Sequence, residues 1–193
     1  MTISGGQVYA QANDDAINCG GDMTISGGYV CAYSTGNDGL DANGNLYIKG
    51  GVVYAIGASD PEVALDADEQ HKLYIEGGTI FALGKLEKGA QLKQTCYQSS
   101  SWNATTWYSI TVDNQTFAFK TPAKSTSGQN GGHGPNGGNT STPLIVSGNS
   151  KPTVKSGVTV SGGTQIFNGM GTLNASVSGG SSVTLETYSS SSW

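Results

Sequence analysis

From Met1 to about residue 95, apolar and polar positions alternate in short bursts, and each burst is interrupted by a glycine pair. The bursts repeat. MTISGGQVYA begins at Met1, MTISGGYVCA at Met23, LYIKGGVVYA at Leu46 and LYIEGGTIFA at Leu73, at spacings of 22, 23 and 27 residues. A period of two along each burst is the signature of a strand with one buried face. It sends Met1 and Ile3 inward, as it does Met23/Ile25, Leu46/Ile48 and Leu73/Ile75. The Gly-Gly pair then turns a corner, and a second strand places Val8/Ala10, Val30/Ala32, Val53/Ala55 and Ile80/Ala82 inward. A third short face carries Ile17, Leu40 and Leu65. Self-similarity at this period is the mark of a solenoid, whose units bury their apolar faces only against neighbours. The expected fold is therefore all-β: a right-handed parallel β-helix with three short strands per coil. Because Met1 falls in register with Met23, the chain is expected to start within a repeat, with an upstream part before it.

The pattern divides the chain in three. Residues 1–95 read as regular coils, 96–143 as irregular strands with a Gly/Ser/Asn-rich loop from 121 to 143, and 144–193 as a β segment continuing the solenoid or packing on it. VTVSGGTQIF at Val158 is a weak echo of the repeat. Thirty glycines against five prolines agree with many strands joined by tight turns.

Charge sharpens the picture. The net charge is -5, and all nine bases are lysines, so no arginine fork exists for phosphate and nucleic acid is not an expected partner. No apolar run approaches a membrane span. Ten of fourteen acids lie between Asp14 and Glu69, where Lys49 is the single base. Aligning coils on Ile17, Leu40 and Leu65 puts Asn18, Asp41 and Asp66 in one column, Asp15 and Asp38 in a second, and Asp14, Asn37 and Glu62 in a third. Carboxylates stacked one rung apart repel by about 1 to 4 kcal/mol per pair. Ca²⁺, a hard cation taking six to eight oxygens, suits such a cluster, whereas turn-forming Asp and Asn facing solvent are the plain alternative. The same alignment, carried to GAQLK, places Lys93 below Asp66.

DDAINCGGDMTISGGYV and NDGLDANGNLYIKGGVVYA resemble the carbohydrate-binding β-helix family of bacterial surface proteins, over roughly residues 1–95. The resemblance implies calcium held at Asp15, Asn18, Asp38, Asp41 and Asp66, binding of acidic plant polysaccharide or cellulose, and a secreted or cell-surface location. Asn18 and Val63 depart from the acidic pattern of their columns. Since that fold resembles pectate lyases, a lyase is the enzymatic alternative, with Lys49, Lys72 or Lys93 as base; a lysine beside carboxylates is held charged and makes a poor one. No catalytic residue is assigned. A passive adhesin or stalk segment is the third reading.

Outward positions of the second strand form an aromatic ladder, Tyr9, Cys31, Tyr54 and Phe81, flanked by Tyr33, Ile56 and Leu83. It is expected to lie beneath the tail or a partner copy, with sugar stacking at Tyr54 the alternative. Trp102, Trp107 and Tyr108 are further candidate sugar platforms. His71 and His133 stand alone, and Cys19, Cys31 and Cys96 show neither disulfide nor zinc spacing.

Overall fold

A computed structural model describes residues 1–59, 61–123 and 142–190. Each of the first three coils contributes a long bent strand and a short one: β1 (Thr2–Ala12) and β2 (Ile17–Cys19), β3 (Met23–Ser34) and β4 (Leu40–Ala42), β5 (Leu46–Ile56) and β6 (Leu65–Ala67). In the fourth coil the bent strand is split into β7 (Leu73–Ile75) and β8 (Thr79–Leu83), followed by β9 (Gln91–Leu92). The pairings β1–β3, β3–β5, β5–β7, β5–β8 and β7–β9 are all parallel, as are β2–β4 and β4–β6. The chain is a parallel β-solenoid of the expected class.

The register is the one that the repeat dictates. Met23 pairs with Leu46 and Leu46 with Leu73, while Val8, Val30, Val53 and Ile80 form another column. At these inward positions the side chains from Met23 onward are fully buried in one continuous core. In the first three coils the Gly-Gly corners bend the strand without ending it, through register shifts at Ser4 and Ser26. Two requirements make them glycine. The second residue of each pair has φ near +80°, as at Gly28 and Gly51, which favours glycine. The first must let the preceding coil approach: a β-carbon on Gly50 would lie 2.6 Å from the Ser26 carbonyl oxygen.

The later part of the chain changes direction. β10 (Cys96–Ser99), β11 (Trp107–Val112), β12 (Gln115–Lys120), β13 (Leu144–Ser147), β14 (Thr153–Ser161), β15 (Thr164–Ile166), β16 (Gly171–Leu173), β17 (Ser176–Ser182) and β18 (Glu186–Thr187) pair antiparallel throughout. β13 closes the solenoid's main sheet by pairing with β8, and β10 and β18 follow it. A six-stranded sheet, β15-β16-β12-β11-β14-β17, lies over the outer face of the second strands. Residues 144–190 therefore pack on the solenoid instead of adding parallel coils. Of the loop read at 121–143, residues 124–141 lie outside the described residues, as does His133.

Candidate functional site

The short strands position the acidic column. Because β2, β4 and β6 stack in register, Asn18 pairs with Asp41 and Asp41 with Asp66. An amide N–H of Asn18 donates to Asp41, and also to Asp15 Oδ2 at 3.2 Å. In the fourth coil Leu86 bridges to Leu65, so the next rung of the column is Glu87, hydrogen-bonded to Asp66. This corrects the sequence alignment, which put Lys93 there. Leu92 instead pairs with Ile75 in the first-strand column, placing Lys93 beside Glu76 with its Nζ 2.5 Å from Oε1. The 27-residue spacing conceals a shorter interval before the fourth short face; only the pairing of Leu86 reveals it.

The electrostatics follow from this crowding. Burial pushes Asp41 up to about 7, with the charges of Asp15 and Asp66 adding to it. Asp66 is likewise raised to about 7, by burial and then by Glu87. Asp38 is raised to about 7 by burial; a hydrogen bond from the Val63 backbone N–H opposes the shift, while Asp66, Glu62 and Asp15 reinforce it. Every charge named here as acting on these three acids is another carboxylate.

The other two columns are more structural. Asp15 Oδ1 accepts the Asp38 backbone N–H at 3.2 Å, and Asp38 Oδ1 accepts that of Val63 at 2.5 Å. Each carboxylate thus ties its own coil to the next, so Val63 needs no acid of its own. Asp14 accepts from the Asn37 amide at 2.8 Å, and Glu62 is half-buried, its charge acting on Asp38. Sequence reasoning missed a similar pair, in which Asp22 accepts the Asn45 backbone N–H at 2.8 Å and Asn45 that of Lys72 at 3.0 Å.

Among the described residues, no group of three or more carboxylate, imidazole or thiol side chains converges on a single point. Oxygen donors run in a ladder, each touching the next. Carboxylate oxygens are the donor type that a hard divalent cation takes, and Asp41, Asp66 and Glu87 are the residues that could offer them, while Asn18 turns its amide N–H toward the acids.

The aromatic candidates fall differently. Tyr54 is 0% exposed and Tyr108 2% exposed, both within the core between solenoid and sheet. Tyr54 donates its hydroxyl to the Lys120 carbonyl at 3.0 Å and lies against Phe81 and Phe119. Neither can serve as a sugar platform, and the face is covered by the chain's own sheet, which leaves it closed to a partner copy. Trp102 is half-buried, with Nε1 bonded to Thr142 at 3.1 Å, and Trp107 is half-buried at the start of β11. Of the lysines considered as bases, Lys49 lies 4.0 Å from Glu76, and Lys93 is held above its ordinary value by its hydrogen bond to Glu76. His71 stands 4.0 Å from Asp68. All three cysteines are free.

No protein-family model, curated protein or solved structure matches this chain. Among the described residues, no helix is long and apolar enough to cross a membrane.

Proposed function

We propose that this chain is a non-catalytic, calcium-dependent polysaccharide-binding module of a secreted or cell-surface bacterial protein, with an acidic plant-type polysaccharide as ligand. The observation that carries this reading is the column Asn18, Asp41, Asp66 and Glu87, in which two aspartates are pushed up to about 7, Asp41 by burial and then by Asp15 and Asp66, and Asp66 by burial and then by Glu87. At neutral pH such a column resists full ionisation, and a divalent cation relieves the repulsion. A bound cation also reverses the local field, so that a protein of net charge -5 can accept a polyanion whose carboxylates complete the coordination shell.

The lyase reading needs a neutral lysine near the metal. Lys93 is ion-paired with Glu76, and its charged form is the favoured one. Retention on polygalacturonate in calcium, lowered at least about tenfold by chelator or by a D41N/D66N double variant, is the expected outcome. Ultraviolet absorbance of an unsaturated product that K93A, K49A or K72A abolishes would make the chain a lyase. No retention under any condition would leave it a stalk.

A further inference from the structure

The corner opposite the acidic column holds a feature that the repeat alone does not create. Along the stacked Gly-Gly corners runs a groove of about 550 Å³ whose walls include Lys49, Glu76, Gln115 and Asn149. It continues, past Glu76 and Asn149, into a second hollow of about 350 Å³ lined by Lys93, Tyr97 and Lys151. Three lysines and one carboxylate therefore line the two hollows, in a chain that is acidic overall. Glu76 lies between Lys49 at 4.0 Å and Lys93 at 2.5 Å, so it neutralises one positive charge and leaves two. The lysines also sit against tyrosine rings: Lys49 is 4.8 Å from the centre of Tyr47, Lys93 5.9 Å from Tyr74 and Lys151 5.2 Å from Tyr97. Tyr47 and Tyr74 are themselves stacked at 4.8 Å.

Each part of this groove matches a part of an acidic sugar. Lysine ammoniums take carboxylates as point charges, side-chain amides such as those of Gln115 and Asn149 exchange hydrogen bonds with hydroxyls, and the rings that line the two hollows, Tyr29 and Tyr97, offer aromatic surface to a pyranose ring. The glycine corners leave a floor without side chains, low enough for a chain to lie along it. Phosphate recognition would favour arginine forks, which the chain lacks entirely.

We propose that this groove is a second, metal-independent site that binds a uronate oligosaccharide through Lys49, Lys93 and Lys151. The proposal rests on the reading of the chain as an acidic-glycan-binding module, and it names a site apart from the calcium column. The lysines on the first-strand face and the one after β13 are brought together by the fold.

The test is calorimetric titration of the whole chain with oligogalacturonate in excess chelator and, separately, in calcium. Binding in chelator that is weakened about fivefold by K49Q and again by K151Q, and that weakens with added salt, is expected. The lysines are on the surface, and circular dichroism of each variant confirms that the fold is retained. Hydrogen exchange should slow at Gly50, Gly51, Gly77 and Gly78 when ligand is present. Absence of binding in chelator, or binding unchanged in K49Q/K151Q, overturns the site even if calcium-dependent retention persists. Loss in these variants with no effect of calcium upholds the groove and sinks the calcium column. Equal affinity for a fully methyl-esterified oligogalacturonate, or tighter binding of inorganic triphosphate, overturns the uronate assignment.

Discussion

Residues 24–28, TISGG, turn a corner beneath a neighbouring coil, while residues 159–163, TVSGG, end one antiparallel strand and lead into the next. In the solenoid the pair Gly27-Gly28 is stacked on Ser4 to Gly6, and both neighbours of the strand run parallel to it. In the folded-back sheet β14 lies between β11 and β17, both antiparallel, and Gly162-Gly163 connects to β15. The same five-residue pattern thus encodes a bend and an alternation of faces. Whether that bend becomes a solenoid corner depends on an equivalent coil on either side.

The largest effect should come from breaking the contact between the two regions. Phe81 is fully buried against Tyr54, Tyr108 and Phe119, and Phe81→Ala should cost about 3 to 5 kcal/mol in chemical denaturation. If the sheet were merely draped on the solenoid, the loss would be far smaller. Next come the corners. Gly50→Ala forces a β-carbon to within 2.6 Å of the Ser26 carbonyl and should cost about 1 to 3 kcal/mol. Gly5→Ala meets nothing within 4 Å and should change stability by less than about 0.5 kcal/mol. Equal effects at the two sites would mean that stacking is not what demands glycine.

The acidic column should appear as a pH dependence. Asp38, Asp41 and Asp66 titrate near 7 when folded, above the ordinary aspartate value, so the folded chain binds more protons than the unfolded one between about pH 4 and 7. Their contribution to stability is present below about pH 4 and lost as pH rises through 7. Scanning fluorimetry without metal should show the melting temperature falling across that window, and D66N should flatten the slope. Calcium should restore the melting temperature most at pH 7 and above, where the acids are ionised. A small effect also belongs to the outer edge of the antiparallel sheet, where half-buried Val177 pairs with Val160: Val177→Ala should cost about 0.2 to 1 kcal/mol.

The candidate site was partly legible. Asn18, Asp41 and Asp66 could be aligned from sequence because each follows an apolar residue of a strand whose register the core enforces. Glu87 could not, because the fourth coil reaches its short face sooner after the Gly-Gly corner than the third does, and taking the residue after the wrong leucine, Leu92, brought in Lys93. Asp38 was legible as an acid near the column, but its bond to the Val63 backbone N–H depends on where the next coil's chain passes.

What the sequence by itself determined is the coil: a two-residue alternation, glycine at the corners and a repeat length together leave one way to bury Ile25, Ile48 and Ile75 in a column. These are local constraints, renewed at every turn. What only the tertiary structure decided is the fate of the outer aromatic face and the groove beside it. Tyr54 and Phe81 point away from the solenoid core under any register, and alternation says nothing about what covers them. The sheet formed by β11, β12 and β14 to β17 does so, because burying those rings together with Phe119 and Phe167 removes apolar surface that the coils alone would leave in water. The same folding back carries Asn149 and Lys151 to the corner held by Lys49 and Lys93, across about a hundred residues of chain whose spacing contains no sign of the encounter.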